Sequence, residues 1–343
     1  MNQPLVSVVT PTGRQPEGLR ETLDSVAAQT LVEWEHLVVG DGDSDEDGAQ
    51  KLVETRASQD PRIRPMKRQS HCAGGHRNAG IRAARAPFIV MLGAGEVLAP
   101  GSLERRAAVM SRNADLDFAT FRAGGFGREI GGDAAAAGPQ LPTGDDLGRF
   151  LYGDAPWMTA APIWRRETLM RLGLFDETLA GWQHVELTVR AICAGARYLR
   201  FAEIDHFVRR PCGPDTAARS GVPLASALEA IERMEAHVRA GPGMSWVRQR
   251  ALCSLYFSVA ESWVERGDLG AGLAAWDQVR KRSLGPAHLH AVGAALLRLG
   301  AAGAPSRGLI HQWKGWARLR AIPALSARGE PVCQEPRAGG PQD

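Results

Sequence analysis

Three short segments carry residue types and spacings that suit a phosphorylated ligand. Thr10-Pro11-Thr12 ends an apolar, β-branched run that begins at Leu5. Val39-Gly40-Asp41-Gly42-Asp43-Ser44-Asp45 ends a second run that begins at Trp34. The third segment, Gly74-Gly75-His76-Arg77-Asn78-Ala79-Gly80, leads into a helical period. A carboxylate such as Asp41 at a strand end can accept hydrogen bonds from a ligand N–H or hydroxyl. A helix N-terminus with a guanidinium beside it suits a diphosphate, because the aligned N–H groups and the positive charge act together. Together the three segments would hold a nucleotide. Plainer readings stand beside this one: Pro11 can simply stop a strand, Asp41 and Asp43 can cap a turn, and Arg77 can pair with a surface acid.

The elements that must position these segments alternate. Strand-like runs at Leu5 to Thr10, Trp34 to Val39, Ile63 to Pro65 and Phe88 to Leu92 are separated by helical periods at Glu17 to Ala28, Ala49 to Ser58 and Arg77 to Ala86. That order predicts an α/β fold with a largely parallel sheet and right-handed crossovers. In such sheets ligands sit at the carboxyl ends of the strands, where all three segments fall. From Ala123 to Leu141 the pattern dissolves into Gly and Ala and reads as a loop or insertion. A strand over Trp157 to Trp164, helices over Arg166 to Leu172 and His184 to Ala194, and a strand over Tyr198 to Ala202 follow. From Pro223 the periods are only helical, and beyond Arg328 the chain is rich in Pro and Gly. The expected division is an α/β domain over 1–215, a helical region over 223–326 and a disordered tail over 327–343.

Composition bounds the function. The 343 residues suffice for a sizeable core, and the hydrophobic fraction of 44% and charged fraction of 23% are ordinary for a globular protein. A net charge of +3 gives no argument for nucleic acid. The five cysteines show no metal-ligand spacing and read as free thiols in a reducing compartment. With no signal sequence and no apolar stretch of about 20 residues, the expected location is the cytoplasm.

The blocks "VSVVTPTGR", "SVAAQT", "HLVVGDGDSDED", "RNAGIRAARAPFIVMLGAGEVLAPGSLE" and "RRETLMRLGLFDETLAGWQHVELTVRA" resemble, in order, those of family 2 glycosyltransferases with the GT-A fold. The resemblance covers about Leu5 to Arg210. It implies transfer of a sugar from a nucleotide-diphosphate donor to an acceptor. It places Pro11 and Thr12 in the nucleoside pocket, Asp41 at the base and Arg77 near the donor phosphates.

Two motifs depart from the family pattern. Where relatives carry an Asp-x-Asp that holds a divalent metal, this chain reads Gly93-Ala94-Gly95-Glu96. Only Glu96 offers a carboxylate, so Mg or Mn is expected to bind weakly. Where relatives carry a Glu-Asp pair whose Asp is the general base, this chain reads Gln183-His184. His184 is then either a replacement base or a packing residue. Trp182 beside it would stack on an acceptor sugar or stay half-buried as packing. The implied function is a glycosyltransferase with reduced metal dependence; the alternative is a catalytically inactive protein that binds a nucleotide sugar or a partner.

The C-terminal region adds one expectation. Between Gln278 and Gly329 there is no Asp or Glu, while Arg280, Lys281, Arg282, Arg298, Arg307, Lys314, Arg318, Arg320 and Arg328 fall there. On a helix from about Gly308, Leu309, Ile310, Trp313, Trp316 and Ala317 share one face opposite a basic stripe. That pattern suits peripheral contact with an anionic membrane at its inner face, packing of the apolar face on the catalytic domain with the basic face solvated, or an acidic protein partner.

Overall fold

The computed structural model describes residues 3–12, 16–40, 48–67, 72–127, 136–137, 145–209 and 223–302. Asp41, the acidic loop 42–47, most of 128–144 and everything from 303 onward, including the amphipathic segment at 308–320, lie outside the described residues.

The strands are β1 (Val6–Pro11), β2 (Trp34–Gly40), β3 (Ile63–Lys67), β4 (Phe88–Met91), β5 (Glu96–Leu98), β6 (Phe118–Phe126), β7 (Ala136–Ala137), β8 (Pro162–Arg165) and β9 (Tyr198–Arg209). They form one sheet in the order β3-β2-β1-β4-β8-β6-β9-β5, with β7 paired to β6. The half that carries β1 to β4 is parallel. The other half is mixed: β6 and β9 run parallel, while β8 is antiparallel to β4 and β6, and β5 is antiparallel to β9. The α/β class therefore holds, with antiparallel pairings beyond β4. The register Pro11↔Val39 brings the carboxyl ends of β1 and β2 level, and Val9↔Met91 does the same for β4.

Alternation along the central strands sorts residues to two faces. Val6, Val8, Val38, Phe88 and Val90 point to one face, under α1 (Pro16–Ala27), α2 (Ala49–Gln59) and α4 (Ser102–Arg112). Val9, Leu37, Ile89 and Met91 point to the other, under α3 (Ala73–Ala83), α5 (Asp146–Leu151), α6 (Arg166–Arg171) and α7 (Gln183–Cys193). Each fully buried Val, Leu or Ile contributes about 1.5–3 kcal/mol, so both faces are substantial. α3 comes close enough to β1 that a Cβ at Gly80 would lie 2.4 Å from Val9 Cγ1. Only glycine allows that approach, and it fixes where the start of α3 sits relative to the strand ends. The mixed half is held by an aromatic stack, with Phe118 4.2 Å from Trp164 and 4.7 Å from Tyr198 between ring centroids.

The later helices are α8 (Leu224–Ala240), α9 (Trp246–Glu265), α10 (Leu269–Lys281) and α11 (Ala287–Ala301). α8 packs on α7, α9 on α8 and α5, α10 on α9, and α11 on α9 and α10. Met234, Tyr256, Phe257 and Trp276 belong to the same apolar cluster as Val9 and Leu187. The helical region thus shares a core with the sheet. No described helix is long and apolar enough to cross a membrane.

Candidate functional site

The carboxyl ends of β1 and β2 lie side by side. Thr12 N donates to Val39 O at 2.9 Å, and Thr12 Oγ1 donates to the same oxygen at 3.3 Å. Pro11 and Thr12 are half-buried there, next to Gly40. Behind them Thr10 Oγ1 and His36 Nε2 are 2.8 Å apart, and burial pushes His36 down to about 3, so it stays neutral.

The turn after β4 is built around its glycines. Gly95 has φ +94°, and Gly95 N donates to Thr22 Oγ1 at 2.9 Å and to Gly18 O at 3.2 Å. A Cβ at Gly18 would meet Gly95 Cα at 3.0 Å, so α1 presses on the turn through bare backbone. Glu96 folds back: its Oε2 accepts from Gly93 N at 2.6 Å. A Cβ at Gly93 would lie 3.0 Å from that oxygen. The two glycines thus have a structural use beyond the loss of carboxylates.

Arg77 stands on the first turns of α3 and is half-buried. Its Nη1 donates to Gln183 Oε1 at 3.2 Å, and its guanidinium lies 5.3 Å from the centroid of the Phe175 ring. Burial lowers its pKa, while the negative charge of Glu96 opposes that fall. Gln183 is wedged beneath Gly74, where a Cβ would lie 2.8 Å from its Nε2. Its Nε2 also donates to Leu179 O at 2.5 Å, so it is a buried brace. His184 follows on the first turn of α7. Burial and then the Arg77 charge push it down to about 4. Its imidazole is therefore neutral at pH 7 and able to accept a proton, although with low proton affinity. Trp182 precedes α7 in the left-handed region at φ 59°, ψ 14°, half-buried against the larger core. For a residue with a Cβ that conformation costs about 1–2 kcal/mol, so the surrounding contacts must hold it.

Those contacts come from two sides. Asn78 grips the Phe175 backbone with both amide atoms: Nδ2 donates to Phe175 O and Phe175 N donates to Oδ1, each at 2.9 Å. From the other side α8 holds the same loop. Arg233 pairs with Asp176 at 2.7 Å and donates to Thr178 Oγ1 at 2.8 Å, and Ala180 N donates to Ser226 Oγ at 2.8 Å. His237 Nε2 and the buried Glu186 Oε1 are 2.8 Å apart, which ties α8 to the first turn of α7 two residues beyond His184.

The structure therefore brings Arg77, Glu96, Gln183 and His184 to one place, with Trp182 at its rim and Pro11 and Thr12 at the neighbouring strand ends. Asp41 lies outside the described residues. The brace role of Gln183 and the α8 clamp are additions that the spacing of residues does not encode, because their partners are distant in sequence. The glycine at 74 was the available hint for Gln183, since a glycine inside a helix points to a close approach.

Divalent cations need several oxygen ligands held together. Gly93, Ala94 and Gly95 bring no side-chain donor, and Glu96 is engaged by its own turn. Among the described residues no cluster of three or more His, Cys, Asp or Glu could hold a metal ion. The described donor set does not fit a divalent-metal site.

Comparison with known proteins locates this arrangement. Residues 7–136 match the family model described as Glycosyl transferase family 2. An uncharacterized glycosyltransferase of Methanocaldococcus jannaschii, MJ1057, is 26% identical over 210 residues, which span 61% of this chain and 70% of that protein. The crystal structure of S. aureus TarS 1-349 in complex with UDP superposes with a TM-score of 0.64 at 16% identity, over 91% of each chain. The mannosyltransferase PcManGT from Pyrobaculum calidifontis, in complex with GDP-Man and Mn2+, superposes with a TM-score of 0.53 at 17% identity, over 94% of this chain and 88% of that one. Over residues 7–136 the chain is similar to glycosyltransferase family 2, and its sheet has the GT-A architecture of these solved structures.

Proposed function

We propose that this chain transfers a sugar from a nucleotide-diphosphate donor to an acceptor hydroxyl, with reduced dependence on a divalent metal. The observation that carries the reading is the convergence of Arg77, the Gly93–Glu96 turn and the start of α7 at the ends of β1, β2 and β4. Pro11, Thr12 and Asp41 would hold the nucleoside, and Arg77 with the first turn of α3 would face the diphosphate. The acceptor hydroxyl would attack the anomeric carbon opposite the departing diphosphate. The new C–O bond forms as the bond to the diphosphate breaks, the nucleoside diphosphate leaves, and the hydroxyl proton passes to the neutral imidazole of His184. Trp182, fixed in its left-handed conformation, would offer a ring face to the acceptor sugar. The complexes of TarS with UDP and of PcManGT with GDP-Man support a nucleotide-linked donor.

A second reading, binding without turnover, is favoured by Gln183. It occupies the position of an acid in the family pattern and is locked as a brace. Release of nucleoside diphosphate from a panel of UDP- and GDP-linked sugars decides between them. The first reading expects slow release from at least one donor, with or without chelator. A chain that binds donors yet releases no diphosphate, with any acceptor extract added, belongs to the second.

A further inference from the structure

The charges at this site pose a question that the donor reading leaves open. A nucleoside diphosphate brings two or more negative charges to the strand ends, and its oxygens need a counter-charge there. Among the described residues at the junction of α3, the post-β4 turn and α7, the cation is Arg77, and the acid facing it is Glu96. Gln183 and His184 bring no net charge at neutral pH. Arg77 is braced by Gln183 and Phe175, so its guanidinium is presented in a fixed place and not on a free stem. Glu96 is bound to Gly93 N, across a turn in which a Cβ at Gly93 would lie 3.0 Å from Glu96 Oε2 and Gly95 takes φ +94°, a conformation that side chains disfavour.

We propose that Arg77 and the first turn of α3 form a metal-independent diphosphate clamp, and that Glu96 is a turn cap that opposes the ligand's charge and not a cation ligand. The proposal rests on the donor reading above. It makes the two roles of Glu96 separable by sign. A metal ligand changed to Gln loses metal-supported nucleotide binding. A carboxylate that repels the diphosphate and competes for Arg77, changed to Gln, strengthens binding. Gln also keeps an oxygen to accept from Gly93 N, so the turn survives the change.

The experiment is calorimetric titration of UDP, and separately GDP, into the full chain, in EDTA and again in Mn2+. The expected result is similar affinity in both conditions for the better nucleotide. Glu96→Gln should bind about twofold to fivefold tighter in EDTA, the size of a modest screened charge effect. Arg77→Ala should lose about tenfold or more, as for a charge-assisted hydrogen bond. Arg77→Lys keeps the charge without the fork and should fall between. It also guards against a folding defect, which thermal melting of each variant would expose. Binding that appears only in Mn2+, and is lost in Glu96→Gln, overturns the clamp while leaving the donor reading in place. Absence of binding by either nucleotide in both conditions overturns the donor reading together with the clamp.

Discussion

Replacing His184 with Ala is expected to lower the rate of sugar transfer by about 10²–10⁴-fold, the usual contribution of a general base. The direction of the pH profile follows from the same residue. A histidine with pKa lowered to about 4 is neutral, and so competent as a base, at all pH values well above 4. In the free protein the acid limb should fall near 4, well below the ordinary histidine value of about 6.5. Part of that lowering comes from the charge of Arg77. A bound diphosphate neutralises Arg77, so the limb seen in kcat should lie at higher pH than the limb seen in kcat/KM. The measurement is a pair of pH–rate profiles at saturating and limiting donor. A His184→Ala variant with full activity, or a wild-type profile flat down to pH 3, would remove His184 from the chemistry.

The largest expected loss of stability lies away from that chemistry, at Arg106. Its guanidinium is fully buried and makes two bonds of 2.7 Å to Asp205, itself fully buried, and one of 2.8 Å to Ala160 O. Ser102 Oγ donates to the same carboxylate at 3.1 Å, and His206 Nδ1 lies 3.1 Å from it. The cluster joins α4, β9 and the approach to β8. Removing one partner of a buried pair leaves an uncompensated charge, and Arg106→Met should cost about 3–5 kcal/mol. The double change Arg106→Met with Asp205→Leu should recover much of that, because a well-packed apolar pair avoids desolvation altogether.

The sign with pH is fixed by Asp205. Its pKa is strongly lowered in the native chain; burial works against that fall, and the charge and hydrogen bonds of Arg106 more than offset burial. The stabilisation is present above the unfolded carboxylate pKa and lost as pH falls through the folded one. In Arg106→Met the isolated buried acid has a raised pKa instead, so the gap between variant and wild type should narrow as pH falls. Urea unfolding at pH 7 and pH 4 reads both effects; equal stabilities of wild type and Arg106→Met at pH 7 would mean the pair is energetically idle.

Much of the sheet was legible because the short, largely apolar runs at β1, β2 and β4, buried along their length, are bounded by Pro or Gly. The rest was hidden for physical reasons. β6 reads as Phe-Ala-Thr-Phe-Arg-Ala-Gly-Gly-Phe, and its Gly/Ala end looks like loop. It is strand because β9 and β7 supply hydrogen bonds there, and because Gly124 leaves room for Phe207, which would lie 2.6 Å from a Cβ. β9 runs on past Ala202 to Arg209 by pairing with β5 and β6, partners no local pattern announces. α3 begins at Ala73 and not at Arg77, because Cys72 Sγ accepts from Gly75 N, a cap that the usual Ser, Thr, Asp or Asn signature does not cover. Trp157 to Trp164 is strand only from Pro162, since the Trp157 ring turns into the core against Phe150 at 5.0 Å between centroids. Arg77, Glu96 and His184 stood out by residue type, and the structure places Glu96 and His184 near Arg77. The glycine packing against α1 and the Arg233–Asp176 clamp depend on tertiary approach and were not.

The claim that a nucleotide-linked sugar lies across the start of α3 and the post-β4 turn is tested most directly by hydrogen–deuterium exchange. The full chain is compared alone and with UDP- or GDP-linked sugar, in EDTA. The account predicts slowed exchange in the backbone amides of residues 73–79 and 93–97, with little change in α9 to α11. Slowing confined to the C-terminal helices, or no slowing anywhere at saturating ligand, would contradict it.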